Sequence, residues 1–351
     1  MPPIRFIHAA DLHLDAAFSG LSRDIPADFA ERLRTATFTA FRRLLDLCER
    51  ESPDFLLLAG DVYNQEDASV SAQLALRDGF RRLESLSIPV FLVHGNHDPL
   101  ASRLRSVRWP GNVTVFGELP DAVPVFRKGE GTPLAIIHGA SHASGRETRN
   151  LAALFRRTEA CGLHVGLLHA TPGDADGVAR YAPFSQEDLK ASGMDYWALG
   201  HIHDRREVCR EPLAAYPGCT QGLHINEPGE KGCLLVTAEA RPDGGYAVRT
   251  SFRPLGPAVW KTLDMDLGGA ASLDELENRL RTGLDRAAAE VWSGCEMLLV
   301  RLRLQGRTEL DGLLRKGTTC AELADRLRED GSGVPRIWIK DIDVATRPCV
   351  E

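Results

Sequence analysis

Tyr196-Trp-Ala-Leu-Gly-His-Ile-His203 is an apolar run that stops at a glycine and two imidazoles. Four bulky or small apolar residues bounded by Gly predict a short buried strand; residues two apart beyond it share a face, so His201 and His203 address one site. The same punctuation recurs along the first two hundred residues. Ile4 to Ala9 leads into Asp11-Leu12-His13, Asp54 to Ala59 into Gly60-Asp61, Pro89 to Val93 into Gly95-Asn96-His97-Asp98, and Val165 to Leu168 into His169. Leu134 to Ile137 is a further strand-like core. Between these runs, Phe29, Leu33, Phe38, Phe41 and Leu45 repeat at helical spacing and predict one long helix over Asp28 to Arg50, with another over Val70 to Leu86. Apolar strands alternating with helices need cover on both faces, which predicts an α/β layered domain.

The texture changes after Arg210. Ala214 to Tyr216, Gly232 to Thr237 and Tyr246 to Phe252 read as strands separated by Pro and Gly turns and complete a second sheet. Around Pro254 to Pro257 turn residues concentrate. Beyond them come a strand (Lys261 to Leu267), a helix (Leu273 to Ala289), a strand (Glu296 to Leu304), a helix (Cys320 to Glu329) and a strand (Arg336 to Val344). Residues 1–255 and 256–351 are therefore expected as two domains, the second a small α+β unit.

A length of 351 residues allows about two domains, since a domain takes ~150 residues. With 43% hydrophobic and 26% charged residues and no apolar run near the ~18 residues a bilayer span needs, the expectation is a globular cytoplasmic protein that does not enter a membrane. The first residues lack the pattern of a signal peptide. Eight scattered cysteines form no C-x-x-C pair, which argues against a disulfide scaffold or a thiolate zinc site. The formal charge of −7 argues against nucleic-acid binding through bulk basicity, although residues 101–210 carry 14 basic against 12 acidic side chains.

The chemistry lies at the strand ends. Taken singly, each motif is an ordinary turn or a packed histidine; taken together they occupy the carboxyl ends of successive strands, where layered α/β folds bind ligands. Asp11, His13, Asp61, Asn96, His169, His201 and His203 form a set of oxygen and nitrogen donors suited to divalent manganese, iron or zinc. Seven donors exceed what one such ion takes. Two ions about 3.5 to 4 Å apart that share one Asp fit the count.

In this order, Asp-x-His, Gly-Asp, Gly-Asn-His-Asp, a lone His and Gly-His-x-His resemble the calcineurin-like metallophosphoesterase superfamily. The stretches His8-Ala-Ala-Asp-Leu-His-Leu-Asp15, Tyr181-Ala-Pro, Asp195 to His203 and Tyr216-Pro-Gly-Cys-Thr-Gln221 resemble more narrowly the YhaO-like branch of SbcD-type DNA repair exonucleases. The resemblance implies a two-sheet sandwich flanked by helices with a small capping domain. It implies Asp11, His13 and His203 as ligands of one metal, Asn96, His169 and His201 as ligands of the other, and Asp61 as the bridge. A metal-activated water would attack in line, and His97 would stabilise or protonate the leaving oxygen. Asp98 is expected either to orient that imidazole or to cap a helix.

By the same resemblance the activity is a manganese-dependent DNA phosphodiesterase, exonuclease or endonuclease, with an SbcC- or YhaN-type ATPase partner and a homodimeric state. Arg180, Tyr181, His142 and Arg205 are candidate substrate contacts, through phosphate pairing or base stacking. His8, His94, His138 and His164 flank or lie in strands and are read as packed or surface residues. Two other readings remain open: a phosphoesterase for cyclic nucleotides or phosphomonoesters, which the acidic charge favours, and a regulatory scaffold subunit of an ATPase.

Overall fold

The structure, a computed structural model, describes residues 2–21, 25–64, 69–102, 107–174, 180–242, 244–329 and 333–349. By contacts the chain divides into two compact units. The first holds Met1–Ala16, Thr37–Gln221 and Lys231–Leu255, and the second Ala17–Ala36, Gly222–Glu230 and Gly256–Glu351.

In the first unit, strands β1 (Ile4–Ala9), β2 (Phe55–Ala59), β3 (Val90–Val93), β4 (Val113–Val115), β5 (Asp121–Val125), β6 (Ala135–Ala140), β7 (Leu163–His169), β8 (Tyr196–Gly200), β9 (Arg206–Arg210), β10 (Leu213–Tyr216), β11 (Gly232–Ala240) and β12 (Tyr246–Pro254) make two six-stranded sheets. Their orders are β12-β11-β1-β2-β3-β4 and β5-β6-β7-β8-β10-β9. Strands β1 to β4 run parallel, as do β6, β7, β8 and β10. Period-two alternation sends Phe6, Phe55, Leu57, Phe91, Ile137, Val165, Leu167 and Tyr196 into one shared core between the sheets. Phe6 and Phe55 stack there with ring centroids 4.7 Å apart.

The opposite faces bury the intervening residues. Ile7, Leu56, Leu58, Val90 and Leu92 pack against helices α2 (Ala36–Glu51) and α3 (Val70–Ser85). On the other sheet, Leu168, Trp197 and Leu199 pack with Phe155 and with Leu189 of α4 (Gln186–Ala191). This is the two-sheet sandwich flanked by helices, and each parallel strand directs its carboxyl end to the same edge.

The long helix expected over Asp28 to Arg50 is broken. Helix α1 (Ala27–Arg34) ends at Thr35, where the backbone leaves helical geometry, and α2 begins one residue later. The break follows from a change of core: Phe29 and Leu33 pack with Trp260, Leu299 and Trp338 of the second unit, whereas Phe41, Leu44, Leu45 and Cys48 pack on β1 and β2.

The second unit is built on a parallel sheet of β13 (Ala258–Asp266), β14 (Met297–Gln305) and β16 (Arg336–Val344), with a small ladder of β15 (Arg307–Thr308) and β17 (Arg347–Pro348). Leu298, Val300, Leu302 and Leu304 face α5 (Leu273–Glu290), α6 (Asp311–Leu314) and α7 (Thr319–Glu329). Residues 17–36 and 222–230 belong here because the other face needs cover: the Trp260 indole N–H donates to the Gly222 carbonyl at 3.0 Å, and Phe29 meets Trp338. Among the described residues no helix is long and apolar enough to cross a membrane.

Candidate metal centre

Five strand ends converge at one edge of the sandwich. Beyond β1 and β2 the chain turns sharply and the two loops run side by side: the Asp11 N–H donates to the Gly60 carbonyl at 3.1 Å, and the His13 N–H to that of Asp61 at 3.0 Å. Asp11, His13, Asp61 and His201 all have positive φ, at 50°, 41°, 49° and 104°. Such backbone costs of order 1 kcal/mol or more per residue and persists only where the surrounding structure imposes it; it gathers at functional sites.

All seven donors singled out in the sequence meet here. The ligand atoms of Asp11, His13 and His203 lie within 4.8 Å of one another, as do those of Asp61, His169 and His201. Asp61 faces both groups, with His169 Nε2 at 3.3 Å and His13 Nε2 at 4.0 Å. Asn96 Oδ1 stands 3.0 Å from His169 Nε2. The glycines before these residues make the approach possible. A Cβ on Gly95 would strike the Asp61 carboxylate and lie 2.8 Å from His169 Nε2; one on Gly60, at φ 86°, would lie 2.5 Å from His169 Nδ1.

The donor chemistry fits divalent cations. His169 Nδ1 lies 2.9 Å from the Ala59 carbonyl oxygen, which can only accept, so Nδ1 carries the proton and Nε2 is a lone pair. That lone pair faces the oxygens of Asn96 and Asp61. Three electron-pair donors then converge without a hydrogen between them, and a cation resolves the conflict. A proton competes for the same nitrogen: burial lowers the His169 pKa, but the charge and hydrogen bond of Asp61 outweigh burial and raise it to about 9. Burial opposes the Asp61 charge in turn, yet His169 holds the carboxyl below its usual range. Elsewhere burial prevails: it raises Asp11 against the neighbouring charges of His169 and His203, and it lowers His13 against the charges of Asp61 and Asp11.

His97 is exposed at the mouth of the centre. Its N–H donates to Asp61 Oδ1 at 2.9 Å, and its ring meets that of His13 edge-on with centroids 5.2 Å apart. The Asp98 carboxylate does neither of the things expected of it. Fully buried, it accepts the N–H groups of Gly95 at 2.7 Å, Val62 at 3.1 Å and Asp61 at 3.3 Å, tying the loop after β3 to the loop after β2. No helix starts at Asp98 among the described residues, and its oxygens meet main-chain donors and the His94 ring, whose Nδ1 lies 3.3 Å from Oδ2, rather than the His97 ring.

The expected substrate contacts separate. The Tyr181 ring borders the centre, edge-on to His201 at 5.3 Å, and Arg180 is exposed beside it. His142 is corrected: it is fully buried, and its Nε2–H donates to the His169 carbonyl at 2.6 Å, so no base can reach its ring. The Arg205 guanidinium lies over the Phe252 ring, 4.0 Å from its centroid. His8 is packed, its ring nitrogens on the Tyr196 hydroxyl at 2.9 Å and the Leu199 carbonyl at 3.2 Å. The sequence did not flag Asn64, whose Oδ1 lies 2.6 Å from His13 Nδ1; the only signal available was a polar residue three positions after Asp61.

The model of the calcineurin-like phosphoesterases matches residues 4–205, which carry all five loops. The chain belongs to the calcineurin-like phosphoesterase family. Residues 260–347 of this phosphoesterase match the middle domain of the metallophosphoesterase YhaO, and the chain is 36% identical to the uncharacterized metallophosphoesterase YhaO of Bacillus subtilis over 98% of its own length and 82% of that protein. It is 27% identical to the DNA double-strand break repair protein Mre11 of Aeropyrum pernix, covering 83% of this chain and 69% of that one. A solved dimetal phosphatase from Danio rerio aligns with a TM-score of 0.39 and 14% identity over 71% of this chain and 99% of that one. For a calcineurin-like phosphoesterase, two such Asp/His clusters imply divalent metal ions.

Proposed function

We propose that this phosphoesterase is a two-metal phosphodiesterase acting on DNA, with manganese as its metal. The observation that carries the hydrolytic part is the pair of donor clusters with Asp61 facing both. Asp11, His13 and His203 would hold one ion and Asn96, His169 and His201 the other, with Asp61 within reach of both. When bound, the two ions supply charge neutralisation for the phosphate and activation of the attacking water. Asp11, buried, also accepts the His201 N–H at 3.1 Å, which keeps the two clusters in fixed relation. His97 stands outside the cage within reach of solvent and donates a proton to the leaving oxygen. Asp98 is a positioning residue for the loops bearing Asp61 and Asn96. Tyr181 and Arg180 border the substrate side. DNA as the substrate is supported by the likeness to the Mre11 proteins.

The test is release of nucleotides from linear duplex and single-stranded DNA with manganese, by the parent and by His97→Gln. The variant is expected to lose about 10²- to 10⁴-fold in kcat while retaining metal. Equal rates would remove the acid role of His97. Turnover of small phosphodiesters without DNA cleavage at low salt would move the substrate to the small-molecule class.

A further inference from the structure

His169 and His13, one from each half of the centre, are oriented by different kinds of partner. His169 donates Nδ1–H to the main-chain oxygen of Ala59, a partner no substitution can remove. His13 instead meets a side chain: Asn64 Oδ1 lies 2.6 Å from its Nδ1. The opposite ring nitrogen, Nε2, points into the cluster, 3.1 Å from His203 Nε2 and 4.0 Å from Asp61 Oδ2. The loops carrying the pair are zipped together. The His13 and Leu14 N–H groups donate to the carbonyls of Asp61 and Val62, both at 3.0 Å, and Leu14 bridges Tyr63. Asn64 therefore arrives opposite the outer edge of the His13 ring through backbone pairing.

An amide oxygen only accepts, so this contact requires the proton on Nδ1 and leaves Nε2 as a lone pair. A ring without that anchor is free to take the other tautomer, which turns an N–H toward the cluster and blocks coordination. We propose that Asn64 is a positioning residue that holds His13 in the Nδ1–H tautomer and thereby sets the cation affinity of the Asp11–His13–His203 half of the centre alone. This rests on the two-metal reading given above. A neutral amide does this without adding a third carboxylate beside Asp11 and Asp61.

The experiment is a manganese titration of the full chain, followed by calorimetry and by the paramagnetic resonance of free manganese. The parent, Asn64→Leu, Asn64→Ala and Asn64→Asp are compared. The parent is expected to bind two ions. Asn64→Leu and Asn64→Ala are expected to weaken one of them about 10- to 100-fold and leave the other unchanged. Asn64→Asp keeps an acceptor at the same place and restores the weakened ion. In the metal-free protein, imidazole nitrogen resonances show His13 protonated at Nδ1 in the parent and in Asn64→Asp, and a mixed tautomer in Asn64→Ala.

Two ions bound by Asn64→Ala as tightly as by the parent would overturn the inference. So would equal weakening of both ions, or an Asn64→Asp protein that behaves as Asn64→Ala does; these two readings keep the question decidable even if Asn64→Leu does not fold. A parent that binds no manganese would instead refute the two-metal reading itself.

Discussion

Replacing Asp98 separates a positioning role from a chemical one. Its carboxylate accepts three N–H groups, at 2.7, 3.1 and 3.3 Å, from residues that are themselves buried. In Asp98→Ala those amides lose their acceptor. Each buried donor left unsatisfied costs about 1–3 kcal/mol, and the 3.3 Å contact counts least, so the total is about 3–5 kcal/mol. Asp98→Asn is milder. Its oxygen still serves Gly95 and Asp61; its NH₂ faces the Val62 N–H, donor against donor, but can donate to His94 Nδ1, so the cost is about 1–2 kcal/mol. Urea unfolding followed by circular dichroism measures the loss, and manganese-dependent hydrolysis of bis(p-nitrophenyl) phosphate measures the consequence. Activity should fall with stability in the order parent, Asn, Ala, because Asp61 and Asn96 sit on the loops that Asp98 joins. An Asp98→Ala protein within 1 kcal/mol of the parent would refute the clamp. A fully stable Asp98→Asn protein without activity would return Asp98 to proton chemistry.

Gly95→Ala puts a methyl group against Asp61 and His169, and is expected to abolish tight binding of at least one ion; Gly117→Ala, whose added methyl meets nothing within 4 Å, is the control. Equal metal affinity in the two variants would show that the loops yield more easily than their packing indicates. Burial lowers the pKa of His8 to about 3 and of His138 to about 4 from 6.5. The unfolded chain therefore binds more protons between these values. The contribution of these two groups is full above pH 6.5 and is lost as pH falls toward 4 and 3, at up to about 2.7 kcal/mol per pH unit near pH 5. A urea midpoint that stays flat from pH 7 to 5 would contradict this.

The strands that end in Asp, Asn or His were legible because their signal is short-ranged. β1 and β16 have the boundaries expected from apolar runs, and the seven donors stand directly after such runs. Strands β4, β5 and β9 were not legible. Their residues are half-exposed sheet margins, such as Glu207 and Arg210 in β9, and lack a continuous apolar run. The break at Thr35 was hidden for a related reason. Helical spacing continues through it, and only the identity of the opposing core changes. His142 misled because a histidine after a strand looks the same whether its ring faces solvent or the carbonyl of His169.

Residue type and position along the chain determined by themselves the layered α/β class, the donor inventory and the edge of the sheets on which it lies, since a strand's periodicity and its terminating residues are local properties. Tertiary structure alone decided that Asp98 holds amides of two separate loops, that Asn64 meets His13, and that residues 17–36 join the second unit's core. Those pairings span tens to hundreds of residues. Hydrogen bonds reach only about 3 Å, so which groups they join is set by how the sheets stack and not by anything written beside either partner.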